Sequence, residues 1–508
     1  MAQFVLVNRR AGLFTDATKQ ASRASVATAL SAFGSRARVT SDHDPADPLA
    51  RRVVVFEADP AHVAEIRAGL GPNAIIEPLV YRRLHGVRPA FLRGAAPLDA
   101  KVLKGGKSRF AVSITAGGKP LSGAEVMLYL ADRFRNVSTT TVTADGNGRV
   151  SISPSSGRHV VAVEPIPYAG FWIMVAEAPT SGSTIDCLPI SKAGSNGKGW
   201  WHDAMGIDTS APNRGSGINV GVMDTGCGPH PNLAHVNLIG AFTDGGAQSG
   251  AAATADVAQH GTHTTGIIGA RPKSAGDYAG MAPDCTLFHA RVFKGEGEQD
   301  GPSNADLINA IDALSRDHRC DLINMSLGGG NPTQAEEDAI RDAAERGTLC
   351  VCSAGNDSGP IEYPGAYPEC AAVSAIGQLG WAPAGSFSAG NRPQEPDKLG
   401  TDNLFLATFS CFADGPGQSL ACCAPGVGIV STVPTRGSQK GPYMEMDGTS
   451  MASPAACGAL AVILGQSDVY KELPRDRTRS NAARTALAQH CQSIGLDVRY
   501  EGRGLPRI

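Results

Sequence analysis

Charge of neither sign dominates this chain. Its 45 Lys+Arg against 48 Asp+Glu leave a formal net charge of -3 over 508 residues, so there is no broad basic field to draw a phosphate backbone or anionic lipid. Neither nucleic acid nor a membrane is expected as a partner. No apolar run is long enough to span a bilayer, and the run after Met1 is too short for the apolar region of a secretory signal. The expected location is the cytoplasm, with export by another route left open. Cysteine is missing before Cys187, and none of the 12 recurs in the paired spacing of a zinc site. Buried thiols in a reducing compartment are preferred to a disulfide framework. Cys350 and Cys352 share one face of an expected strand, whereas Cys422 and Cys423 face opposite ways. Apolar residues make up 42% and charged residues 18%, which excludes wholesale disorder, and the length exceeds what one ordinary core fills.

Four stretches differ in character. Residues 1–84 alternate short strand-like runs (4–7, 36–40, 53–56, and Ile75, Ile76 and Val80) with helical patterns near 22–33 and from Pro60, where Asp59 is the expected cap. A small α+β unit is predicted. Residues 85–178 carry alternating runs at 110–115, 124–130, 160–164 and 171–175, separated by turns such as Asp145-Gly146-Asn147-Gly148, which reads as a β-sandwich accessory domain. Residues 179–199 are rich in Ser, Gly and Thr and read as a linker. From 200 to 508, short apolar strands at 218–223, 322–326 and 348–354 alternate with helical patterns. One pattern carries Leu307, Ile308, Ile311 and Leu314 on one face; the next opens with a capping pair, Thr333 and Glu336, and stops at Gly347. The fold class is therefore α/β, a mostly parallel sheet flanked by helices.

Four blocks in this last stretch carry chemistry. In Val220-Gly221-Val222-Met223-Asp224-Thr225-Gly226 an apolar strand delivers a carboxylate at its C-terminal end, where open α/β sheets build their sites. No second Asp-Thr-Gly supports an aspartic-protease reading. In His260-Gly261-Thr262-His263-Thr264-Thr265-Gly266 a histidine opens a helix of small residues; His263 lacks the partners of a metal site and is read as structural, so no metal ligands are assigned. Ser353-Ala354-Gly355-Asn356 ends a strand in an amide that can donate to an oxyanion, and Gly448-Thr449-Ser450-Met451-Ala452 sets a serine hydroxyl at a helix N-terminus. A serine hydroxyl is a poor nucleophile until an imidazole takes its proton and a carboxylate fixes that imidazole's tautomer. The serine block lacks the closing glycine of an esterase elbow.

The order Asp224, His260, Ser450, together with Asn356, Gly280-Met281-Ala282-Pro283, Asn324-Met325-Ser326-Leu327-Gly328-Gly329, Tyr363-Pro364-Gly365 and Ala424-Pro425-Gly426, resembles the subtilisin family of serine peptidases over residues from about 200 onward. The resemblance implies a serine endopeptidase in which Ser450 is the nucleophile, His260 the general base, Asp224 its orienting carboxylate and Asn356 an oxyanion donor. It implies that Ser326, Leu327 and Gly328 pair with an extended polypeptide substrate as an added strand. Ala354, Gly355 and Asn356 would wall the first specificity pocket, and Glu362 near its floor would favour Lys or Arg before the scissile bond. Residues 53–84, with Ile75-Ile76-Glu77-Pro78, resemble the family's inhibitory propeptide, so the N-terminal domain is expected as an intramolecular inhibitor and self-processing near Arg82-Arg83 or in the linker follows. Relatives bind calcium through an Asp where Asn232 stands here. No cofactor is required, and calcium has no supporting ligand set. Residues 380–406 read as an insertion.

Overall fold

A computed structural model describes residues 1–84, 109–134, 136–155, 157–295, 300–435 and 441–508. The expected start of the accessory domain, 85–108, lies outside the described residues.

The N-terminal unit is a four-stranded antiparallel sheet covered on one face by two helices. Its strands are Ala2–Asn8, Ala37–His43, Val53–Ala58 and Ala74–Pro78, in the order second, third, first, fourth. Strand Val53–Ala58 is apolar on both faces because both are buried: Val54 and Phe56 pack on the helices Asp16–Phe33 and Pro60–Gly69. The other face, Val5, Val7, Val53, Val55 and Ile75, shares one core with Leu307, Ile311 and Ile340 of the large domain. Asp59 caps the second helix as expected, accepting from Ala61 N at 2.8 Å. Val80 lies beyond the last strand.

The accessory unit packs two sheets face to face. Strands Phe110–Ala116, Lys119–Pro120, Arg149–Ile152 and Thr184–Cys187 form one; Glu125–Asp132, Val137–Thr143, Arg158–Ile166 and Ala176–Glu177 form the other. Two expectations are corrected. Residues 184–187, read as linker from composition, pair in parallel with Phe110–Ala116, and Ile185 and Cys187 enter the sandwich core; the apolar alternation of Ile185 and Cys187 outweighs the flanking Ser and Gly. The 171–175 run forms no strand and instead lies against the large domain. There Gly385 O accepts from Val175 N and Ile173 O from Phe387 N, both at 2.8 Å, so the 380–406 insertion is part of the seat for the sandwich.

The large domain has an eight-stranded sheet in which seven strands run parallel; only Leu404–Leu406 is antiparallel. The central strand Asn219–Asp224 lies between Thr286–Arg291 and Leu322–Met325, and Leu349–Ser353 follows. Strand Leu349–Ser353 is wholly buried, which is why its sequence is a continuous apolar run rather than an alternating one. Helices His260–Gly269 and Thr449–Gly465 pack together on one face; Asn304–Asp312 and Gln334–Glu345 cover the other. All twelve cysteines are free thiols.

Candidate active site

Strand Asn219–Asp224 carries Asp224 to the C-terminal edge of the sheet, with its side chain fully buried. One carboxylate oxygen accepts from Thr225 N at 2.7 Å and meets His260 Nδ1 at 2.7 Å; the other accepts from Thr264 Oγ1 at 2.9 Å. A carboxylate accepts only, so Nδ1 carries the proton and Nε2 is left as the base. Burial by itself would raise the Asp224 pKa, but the His260 ring and the bond to it outweigh burial and hold the carboxyl below its usual range. For His260 burial disfavours the charged ring, and the Asp224 charge and hydrogen bond overcome it, so its pKa is raised.

A residue missed in the sequence holds this pair in place. Asp256, buried, accepts from Thr225 Oγ1 at 2.7 Å and from Thr262 N at 2.8 Å, while Thr225 Oγ1 in turn accepts from Gly261 N at 2.8 Å. The signal was present as an acidic residue one turn before a helix of small residues. Gly261 is required here, since a Cβ at that position would come within 2.1 Å of Gly226 O. His263 is buried with Nε2 at 2.9 Å from Met444 O and 3.1 Å from Ile429 O, and burial pushes its pKa down to about 3. It is a neutral strut between the helix and the strands Ile429–Thr432 and Tyr443–Met446.

Ser450, in the first turn of Thr449–Gly465, donates to the carbonyl of Ser326 at 3.3 Å, and Ser326 Oγ returns a bond to Ser450 O at 2.9 Å. No hydrogen bond joins Ser450 to His260 in this state; the hydroxyl is taken up by Ser326. Asn356 Oδ1 accepts from Thr449 N at 2.9 Å and Thr449 Oγ1 at 2.8 Å. This turns the amide nitrogen outward: the space a methyl on Gly448 would fill is 3.3 Å from Asn356 Nδ2 and 3.4 Å from Ser450 N. Two N–H donors therefore border one small volume, as an oxyanion site needs.

Beside this point runs a groove, and residues of the N-terminal unit lie in it. Leu84 pairs antiparallel with Leu327 and Arg83 with Gly328. On the other side Arg82 N donates to Pro302 O at 2.8 Å and Asn304 N to Val80 O at 2.8 Å. Ala354, Gly355 and Glu362 are brought together: Glu362 N donates to Ala354 O at 2.9 Å, and a Cβ on Gly355 would lie 3.1 Å from Glu362 Cγ. The Glu362 side chain is 11% exposed and faces the groove, where Arg83 Nη2 reaches it at 3.1 Å and Asp357 at 2.5 Å. Sequence reasoning did not assign Asp357 this role.

The rest of the N-terminal unit is seated through buried charges. Arg51, with no exposed side-chain area, binds Asp312 at 2.6 Å and Asp338 at 2.9 Å. Glu77 accepts from Gln334 N at 2.9 Å and Ala335 N at 3.0 Å, filling the N-terminus of helix Gln334–Glu345. The expected capping pair is thereby half corrected. Thr333 Oγ1 accepts from Glu336 N at 3.4 Å, but the Glu336 carboxylate meets the Thr333 hydroxyl, Arg82 and Tyr367 rather than the Thr333 N–H, which donates to Tyr367 Oη at 2.7 Å.

Asn232, at the position where the resemblance puts a calcium ligand, donates its amide to Tyr443 Oη at 2.7 Å and Asp277 Oδ2 at 3.2 Å. Among the described residues no group of three or more His, Cys, Asp or Glu side chains could hold a metal.

Residues 215–498 match the subtilase family. The chain is 32% identical over 295 residues to the major intracellular serine protease of Bacillus subtilis (strain 168), covering 54% of this chain and 79% of that one. It is 34% identical over 283 residues to subtilisin Savinase of Lederbergia lenta, covering 56% and 89%. The crystal structure of fervidolysin from Fervidobacterium pennivorans, described as a keratinolytic enzyme related to subtilisin, superposes with a TM-score of 0.59 at 19% identity, over 100% of this chain and 60% of that one; this likeness concerns the fold. With the Asp224 and His260 couple at the sheet edge and Ser450 beside the groove, the chain belongs to the subtilase family of serine endopeptidases.

Proposed function

We propose that this endopeptidase cleaves its substrates through an acyl-enzyme on Ser450, that residues 1–84 inhibit it from within the same chain until self-cleavage releases them, and that Lys or Arg is preferred before the scissile bond. Rotation about the Ser450 Cα–Cβ bond, from the staggered position that reaches Ser326 to another, turns the hydroxyl to His260. Nε2 then takes the hydroxyl proton as Oγ bonds to the substrate carbonyl carbon. The negative charge passes to the carbonyl oxygen between Asn356 Nδ2 and Ser450 N. His260 returns the proton to the departing amine, the C–N bond breaks, and a water repeats the sequence on the ester.

The observation that carries this reading is the pairing of residues 83 and 84 with Gly328 and Leu327. An extended segment already occupies the strand-addition groove beside the couple, so a substrate has to displace it. The basic preference is supported by Glu362, a nearly buried carboxylate that lies against Gly355 and Ala354, the expected walls of that pocket. Mass spectrometry of purified wild-type and Ser450→Ala proteins tests the whole: cleavage between the N-terminal unit and residue 200 is expected in the wild type alone. Matched peptide amides ending in Arg, Leu or Phe test the pocket, and faster cleavage after Leu or Phe removes the preference.

A further inference from the structure

The groove contains a second acidic contact to the N-terminal unit, between Glu336 and Arg82. Ser450 touches the Ser326 carbonyl, so a substrate residue placed opposite Ser326 presents the carbonyl to be attacked. Leu84 lies opposite Leu327 and Arg83 opposite Gly328, running antiparallel. A substrate in the same register therefore places its second, third and fourth residues before the scissile bond where Leu84, Arg83 and Arg82 now lie. We infer that Glu336, with Tyr367, is a specificity determinant that selects arginine as the fourth residue on the N-terminal side of the scissile bond. This deepens the reading of the groove proposed above and rests on it.

The geometry is that of a built site for one guanidinium. Arg82 and Glu336 both have no exposed side-chain area. Arg82 Nε donates to Glu336 Oε1 at 3.3 Å, Nη2 donates to Oε2, and Nη1 donates to Asn331 O at 2.7 Å. Tyr367 Oη accepts from Thr333 N at 2.7 Å and lies 3.1 Å from Glu336 Oε2 and 2.9 Å from Thr333 O, with one proton to give to either oxygen. Gly329 forms part of the wall, its Cβ position being 3.4 Å from Arg82 Nη1. The fork of donors meets both carboxylate oxygens and a carbonyl at once, a pattern that a lysine ammonium on a single point does not reproduce. At the helix terminus Glu77 and the Thr333 hydroxyl take the backbone N–H groups, and the Glu336 carboxylate touches that end only through the Thr333 hydroxyl at 3.5 Å. When residues 81–84 leave the groove, a buried carboxylate loses its counter-charge, and another arginine is the occupant that restores it.

The test uses three peptides that differ only at the fourth residue before the scissile bond, carrying Arg, Lys or Leu there, with wild-type protein after self-cleavage and with Glu336→Leu. The expected kcat/KM order for wild type is Arg, Lys, Leu, with Arg at least ten-fold above Leu; Glu336→Leu reverses it in favour of Leu, a switch that mere loosening of the fold does not produce. Equal rates on all three overturn the inference and leave the peptidase reading standing, whereas hydrolysis of none overturns both. A second measurement covers poor folding of the variant. In the full chain carrying Ser450→Ala, amide exchange at Leu327 and Gly328 is expected to speed up at least ten-fold with Arg82→Leu and to slow again when Glu336→Leu is added. Failure to slow on that addition contradicts the inference.

Discussion

His260 Nδ1 sits 2.7 Å from Asp224 Oδ1, and Thr264 ties off the second oxygen of that carboxylate. The imidazole is thereby fixed in one tautomer and its charged form favoured. Because the base must be neutral to accept a proton, kcat/KM is expected to rise with pH as the imidazolium deprotonates, with a midpoint above the ordinary value of 6.5. Asp224→Asn removes the charge and leaves burial opposed only by the smaller effect of Asp256, so the midpoint falls below the parent's and kcat drops about 10⁴-fold. A pH–rate profile of both proteins checks the sign as well as the size.

Asn356→Ala leaves the Asp224 and His260 couple intact and removes one of two oxyanion donors. The expected loss is about 10²–10³ in kcat, the range seen when such a donor is deleted from a relative, with KM little changed. Steady-state kinetics on one peptide suffices. An equal loss carried by KM would place Asn356 in substrate binding.

The seat of the N-terminal unit depends on Arg51, whose charge is favoured over the cost of burial by Asp312, Asp342 and Asp338. Arg51→Ala removes the one fully buried cation among those carboxylates and leaves them to Arg9, Arg10 and Arg346, and thermal unfolding of the Ser450→Ala chain is expected to show a loss of up to about 3–5 kcal/mol. Burial would raise the Asp312 pKa, but Arg51 and its neighbours depress it. That contribution is complete above the unfolded carboxylate value and is lost as pH falls toward the folded one, so the gap between Arg51→Ala and its parent narrows in acid.

At the opposite side of the serine loop, Glu445 accepts from Ile173 N of the accessory unit at 2.7 Å. Burial, reinforced by Asp447, pushes its carboxyl up to about 8. The folded protein keeps that proton where the unfolded chain has lost it, so stability declines as pH rises from about 4.5 to about 8, by about 1.4 kcal/mol per unit at most. Glu445→Gln retains the acceptor for Ile173 and removes the titration. Its melting temperature is expected to exceed the parent's at pH 8 and to match it near pH 4.5.

What was legible in the sequence is what period and block order encode. The parallel strands announce themselves as short apolar runs because both faces are covered, and the blocks of Asp224, His260, Asn356 and Ser450, unremarkable singly, point to one family through their common order. Roles set by tertiary partners were not legible. Thr333 and Glu336 have the spacing of a capping pair, and only the arrival of Arg82, 254 positions away along the chain, diverts the Glu336 carboxylate. Residues 184–187 looked like linker because Ser and Gly flank them, whereas pairing with Phe110–Ala116 depends on a strand far upstream. The bond from Ser450 to Ser326 has no sequence signature, since it joins a side chain to a backbone carbonyl of another element.

The central claim is that Ser450 is activated by His260. A fluorophosphonate probe added to the self-cleaved protein reports on it directly, with the adduct mapped by peptide mass spectrometry. One adduct at Ser450 is expected, falling at least 10³-fold in labelling rate with His260→Ala; labelling at another serine, or an unchanged rate in that variant, contradicts the account.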